Sequence, residues 1–122
     1  TCSRRALKRV VQTGWTVISD CEGSEVHLLD PDRIPALRRC DILVELHDFA
    51  VSGASNLVRQ RFCRTHDIVL ISSVPRDPAS DVRLAGYPAA ERAAAVDEGR
   101  PGPMQWAWMT SRTGAIRPTG II

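Results

Sequence analysis

Two periods of apolar and polar residues alternate along this chain. Residues 3–12, SRRALKRVVQ, place Leu7, Val10 and Val11 at helical spacing, and Gly14 stops the helix. The β-branched run WTVIS (15–19) has strand character. SEVHLL (24–29) supplies one or two helical turns. DPDRIPALRR (30–39) then offers Asp30 as N-cap and Pro31 as first helical residue, with Pro35 shortening or offsetting that helix. DILVEL (41–46) predicts a second strand, nearly all apolar as a strand covered on both faces is. In GASNLVRQRFCRTH (53–66), Leu57, Val58 and Phe62 share a helical face, and HDIVLISSV (66–74) reads as a third strand. PRDPASDVRLAGYP (75–88) is loop by composition, and AAERAAAVDE (89–98) is an alanine-rich helix. GRPGP (99–103) suits neither helix nor central strand, and MQWAWMTS (104–111) alternates as a fourth strand. The tail GAIRPTGII (114–122) commits to neither period.

Strand, helix, strand, helix, strand is the rhythm of an α/β protein with a parallel sheet and right-handed crossovers. The expected sheet has about four strands, three parallel and a last antiparallel one. In such sheets ligands gather beyond the carboxyl ends of the strands. Asp20 and Glu22 follow the first strand, His47 and Asp48 the second, and Arg76 and Asp77 the third. An antiparallel last strand would bring its entry loop, with Arg100 and Gln105, to the same edge.

These endings carry candidate chemistry. Asp20 and Glu22 can position a ligand or hold a cation, or else cap and solvate a turn. Gly23 reads as a residue of backbone geometry or close packing, and Glu25 as a first-turn acid that complements the helix dipole. His47 can serve as a base near neutral pH, with Asp48 beside it. Asp20 and Asp48 with His47 would alternatively hold a divalent cation. In the plainer reading Glu45 pairs with an arginine and His47 bonds a carbonyl. Arg76 and Arg100 suit a substrate carboxylate or phosphate. Trp106 and Trp108 share one sheet face and read as packing, and His27 and His66 as structural.

Composition narrows the classes. The 122 residues are one domain's worth, 43% hydrophobic and 25% charged. Sixteen basic against 14 acidic residues leave +2, too little to argue for nucleic acid, and the run Arg4, Arg5, Lys8, Arg9 reads as a solvated helix face. No stretch approaches the roughly 20 apolar residues of a membrane span. Cys2, Cys21, Cys40 and Cys63 have no paired spacing, which points to reduced thiols and a cytoplasmic location. The chain opens on Thr1, not Met, which suits either a processed product or a fragment of a longer protein.

DCEGSEVHLLD (20–30) resembles the D-x-E-G-x-E-x-x-x-L segment of FkbM-type, S-adenosylmethionine-dependent methyltransferases, with Asp20, Glu22, Gly23, Glu25 and Leu29 in place. ILVELHD (42–48), with Glu45 and His47, resembles the strand that follows it there. The four-strand pattern is similar to the second half of the Rossmann-like class I methyltransferase sheet. The resemblance implies the carboxy-terminal half of a methyltransferase domain that moves a methyl group from S-adenosylmethionine to a hydroxyl of a small molecule or sugar. It implies catalytic roles for His47 and Asp48, cofactor contact by Asp20 and Glu22, and substrate contact by Arg76 and Arg100. No G-x-G occurs in the chain, so the family's glycine-rich cofactor turn has no counterpart here. The chain alone is therefore expected to be inactive. Its 15–19 edge, next to the absent strand, would pair with the missing half or a second copy. The rival expectation is a non-catalytic α/β module that associates through this edge.

Overall fold

The computed structural model describes residues 3–113. Thr1, Cys2 and the uncommitted tail 114–122 lie outside them. The elements run α1 (Arg4–Val10), β1 (Thr16–Ser19), α2 (Glu25–Leu28), a 3-10 helix (Pro35–Arg39), β2 (Asp41–Leu46), α3 (Ala54–Phe62), β3 (His66–Ser72), a 3-10 turn (Val82–Leu84), α4 (Ala89–Val96) and β4 (Gln105–Ser111).

Local chemistry accounts for most boundaries. The Ser3 hydroxyl accepts the Ala6 N–H and caps α1. Asp30 does cap, but it caps a turn: its carboxylate accepts the N–H groups of Asp32 and Arg33 at 3.0 and 3.2 Å. Helical structure is deferred to Pro35, which stands at the start of the 3-10 helix. The Gly14 N–H donates to the Arg39 carbonyl and the Asp41 N–H to the Trp15 carbonyl, which lays β1 beside β2.

The sheet is mixed, in the order β1-β2-β4-β3. Only β1 and β2 form a parallel pair; β4 lies between β2 and β3 and is antiparallel to both. The expected side-by-side set of three parallel strands is thus corrected, because β3 pairs with β4 and not with β2. The physical reason lies in β4. Ala107 and Met109 stand opposite Val44 and Ile42 on the covered face, where all four are fully buried. A strand with a small and a flexible side chain at those places takes the central slot, and β3 is left at an edge.

One sheet face carries the core. Ile42, Val44, Leu46, Ala107 and Met109 meet Val11, Leu29, Ile34, Leu37, Val58 and Phe62 from the helices and connections. The other face carries Ile18, Leu43, Trp108 and Val69 in one row across the strands, with Glu45, Trp106 and Ile71 in the next. It is only partly covered: Ile18 is 71% exposed and Val69 57%. Cys21, Cys40 and Cys63 are free thiols. Among the described residues no helix is long and apolar enough to cross a membrane.

Candidate functional site

The site is assembled from two loops that leave the carboxyl ends of adjacent parallel strands. Asp20 follows the last residue of β1. The chain then turns through Glu22 and Gly23, both at positive φ (49° and 94°), into α2. A left-handed glutamate is unusual, since a side chain there crowds the backbone. Gly23 is required twice over. A Cβ on it would stand 3.0 Å from the Ala50 Cβ and 3.1 Å from a Val51 methyl. Ala50 and Val51 belong to the turn that starts at His47, where both their N–H groups donate to the His47 carbonyl at 3.0 Å. The two loops are therefore pressed together at Gly23.

This contact places Glu25, the first residue of α2, against His47, the first residue beyond β2. Both are wholly buried. His47 donates from Nδ1 to the Glu25 carboxylate, which, ionised, can only accept. The ring is also packed edge-on against Phe49, centroids 5.5 Å apart. The proton held at Nδ1 leaves the lone pair of the neutral ring at Nε2. Nε2 is buried and has no hydrogen-bond partner. Around it stand carboxylate oxygens of Glu22 at 3.4 Å, Asp20 at 3.5 Å and Glu45 at 3.9 Å. Burial by itself would lower the His47 pKa. The Glu25 hydrogen bond and the charges of Glu25, Glu22 and Glu45 outweigh it and hold the imidazole above its ordinary value.

Glu45 connects this centre to the entry loop of β4. One of its oxygens takes a guanidinium hydrogen bond from Arg100, and the other is buried without a partner. Arg100 also donates to Glu98 at 2.5 Å, and Glu98 accepts from Arg76 as well. Both substrate-binding candidates are thus engaged by acids, and Arg100 pairs with Glu45 as the plainer reading foresaw. A cleft of about 740 Å³ opens beside this chain of charges, lined by Glu45, Arg76, Arg100, Met104 and Trp106 among others. A second, of about 520 Å³, lies between Glu22, Phe49 and Arg100.

Asp20, Glu22 and His47 are brought together, as expected from their places at strand ends. Asp48 is not with them: its carboxylate accepts the Ser55 N–H at 3.2 Å in the first turn of α3. Among the described residues, Asp20, Glu45 and His47 could share a metal ion, their ligand atoms lying within 4.8 Å of one another. Glu45 stands where the sequence reading set Asp48. The Asp77 carboxylate accepts the Ala79 N–H of its own turn. His66 is structural: Nε2 bonds the Cys40 carbonyl at 2.8 Å and Nδ1 meets the Thr65 hydroxyl at 2.9 Å. His27 is exposed. Trp106 and Trp108 lie half-buried on the less covered sheet face. The residue that sequence reasoning undervalued is Glu25, whose signal was its place two residues after a glycine in the acidic turn.

Comparison of the chain with family models, with curated proteins and with solved structures finds no match.

Proposed function

We propose that this chain is the acceptor side of an S-adenosylmethionine-dependent O-methyltransferase domain, with His47 as the group that takes the proton from an acceptor hydroxyl. One observation carries the reading. A buried imidazole is fixed by Glu25 at Nδ1 and presents a partnerless Nε2 into a ring of carboxylates beyond the ends of β1 and β2. A base must be held in one tautomer with its lone pair aimed at the proton, and this arrangement does both. The mixed sheet with a last antiparallel strand agrees with the resemblance to the second half of a class I methyltransferase sheet.

The methyl donor's own cradle is not supplied by these residues. The glycine of the site, Gly23, has its free side filled by Ala50 and Val51, which leaves no room for a ligand against its backbone. The chain's residues orient and deprotonate: Glu25 positions His47, Nε2 accepts the hydroxyl proton, and Asp20 and Glu22 hold neighbouring hydroxyls of a small molecule or sugar. The cleft lined by Glu22, Phe49 and Arg100 would be the acceptor's way in, since Glu22 belongs to both the cleft and the carboxylate ring.

The test is transfer of a labelled methyl group to hydroxylated acceptors by the protein that contains this chain. His47→Gln is expected to lower kcat by roughly 10²–10⁴-fold, the usual worth of a positioned base. Transfer at the wild-type rate by that variant defeats the assignment. A second reading, a module that works by association, is favoured by the exposure of Ile18 on the β1 edge and of Val69 and Ile71 on the same sheet face. Under that reading a homodimer or a complex with a neighbouring half persists unchanged in His47→Gln, and no methyl transfer is found.

A further inference from the structure

We propose that Asp20, Glu45 and His47 form a binding site for one divalent cation of the manganese type. The inference refines the reading of the His47 centre, with His47 and Asp20 as ligands of an ion in place of a free base and a hydroxyl acceptor, and the site's existence does not depend on methyl transfer.

Acidic clusters are common at protein surfaces and mean little alone. Here two unpartnered and buried atoms point into the cluster. His47 Nε2 and one Glu45 oxygen belong to side chains at most 1% exposed, and neither has a hydrogen-bond partner. Such groups are costly to leave unsatisfied, and a bound ion would satisfy both. The spacing suits an ion. Cis ligands at about 2.1 Å from a metal stand about 3.0 Å apart and trans ligands about 4.2 Å. Nε2 is 3.5 Å from the Asp20 oxygen and 3.9 Å from that of Glu45, between those limits. The surroundings suit it as well. A metal-binding histidine commonly donates its other ring N–H to a carboxylate, and Glu25 receives the Nδ1 proton. Arg100 binds the far oxygen of Glu45 and so orients the near one.

One imidazole nitrogen with two carboxylates is a donor set of mixed hardness, suited to a first-row divalent ion such as Mn²⁺ more than to Ca²⁺, which takes oxygen ligands. Three protein ligands leave positions for two adjacent oxygens of an acceptor, such as a vicinal diol or a 2-hydroxy acid. With an ion bound, Nε2 would be a ligand and no longer the base; the cation would make the acceptor hydroxyl acidic, and its proton would pass to the Glu22 carboxylate, 3.4 Å from Nε2.

The experiment uses Mn²⁺ alone, with neither donor nor acceptor, so it can succeed or fail independently of methyl transfer. Electron paramagnetic resonance is expected to show one Mn²⁺ per chain, with modulation from one imidazole nitrogen. Asp20→Asn, an exposed position, and Glu45→Gln should each weaken binding at least tenfold, whereas Asp32→Asn, on the surface beside Arg38, should not. Absence of binding at millimolar Mn²⁺, absence of the nitrogen signal, or equal effects of Asp20→Asn and Asp32→Asn overturns the site. Methyl transfer that needs His47 but binds no ion would leave the base assignment standing without the cation.

Discussion

Glu25→Ala tests the contact on which the whole centre is mounted. The wild-type carboxylate is wholly buried, accepts from His47 Nδ1 through one oxygen and leaves the other without a partner. Truncation removes a hydrogen bond to a charged group, worth about 1.5–3 kcal/mol, and strands a buried N–H. It also removes apolar stem, at about 0.8 kcal/mol per buried CH₂. Relief of the unpartnered oxygen offsets about 1–2 kcal/mol of this. The net expectation is a loss of about 2–4 kcal/mol. Glu25→Gln keeps the volume and an acceptor oxygen, and should cost about 1 kcal/mol. Urea unfolding followed by tryptophan fluorescence measures both. At about 1.5 kcal/mol per molar urea, a 3 kcal/mol loss lowers the midpoint by about 2 M. A double-mutant cycle with His47→Ala should return a coupling of about 1.5–3 kcal/mol. Additive effects, or a Glu25→Ala midpoint within 0.3 M of wild type (about 0.5 kcal/mol), would refute the reasoning. Glu25→Gln also has a readout that simple destabilisation does not move. It should weaken Mn²⁺ binding by about 10–100-fold while the chain remains folded.

Two further outcomes follow from residues around the site. Gly23→Ala should destabilise by about 2 kcal/mol, from the left-handed φ and the 3.0 Å approach to Ala50. At about 4 °C per kcal/mol this is a fall of about 8 °C in Tm, and an unchanged melting curve would contradict it. For His66, burial pushes the imidazole pKa below its ordinary value, against the Cys40 carbonyl and the acids Asp41 and Asp67, with Arg112 acting in the same sense as burial. The unfolded chain then binds the proton more readily than the folded one. The stability contribution is full above about pH 6.5 and is lost as pH falls toward the folded pKa. Urea midpoints at pH 7 and pH 5 should therefore differ less in His66→Gln than in wild type, and an identical difference in both would remove His66 as a cause.

The elements were legible because each rests on local chemistry. The four strands are short apolar runs between turn residues, and Pro35 offsets its helix as its backbone preference requires. Helix α1, by contrast, ends at Val10, ahead of Gly14, and Asp30 caps a turn and not a helix. The order of the strands was not legible. Pairing partners are chosen by how side chains fit across the sheet, and periodicity within a strand carries no record of that. HDIVLISSV reads as a third strand beside the other parallel ones, yet β3 is an edge paired only with β4, and its Val69, Leu70 and Ile71 are substantially exposed. The alternation in QWAWMTS was the better clue. Its small and flexible residues, Ala107 and Met109, face the helices, while both tryptophans look the other way.

The site divides along the same line. Placing Asp20, Glu22 and His47 together needed only the rule that adjacent parallel strands end at one rim. Assigning their partners needed the third dimension. Asp48 is the sequence neighbour of His47, but one residue farther along a turn it faces α3 and serves the Ser55 N–H. The acids that reach the imidazole besides Asp20 and Glu22 come from 22 residues earlier and from two residues back in β2. What joins the first of these to His47 is a glycine with no side chain to offer. Gly23 lets the turn after β1 close onto Ala50 and Val51, and α2 then starts with Glu25 facing the ring. A bulkier residue at 23 would separate the loops before any charge was altered. The chemistry of this centre is therefore set by a packing contact, and Gly23→Ala should disturb Mn²⁺ binding although no ligand has been changed.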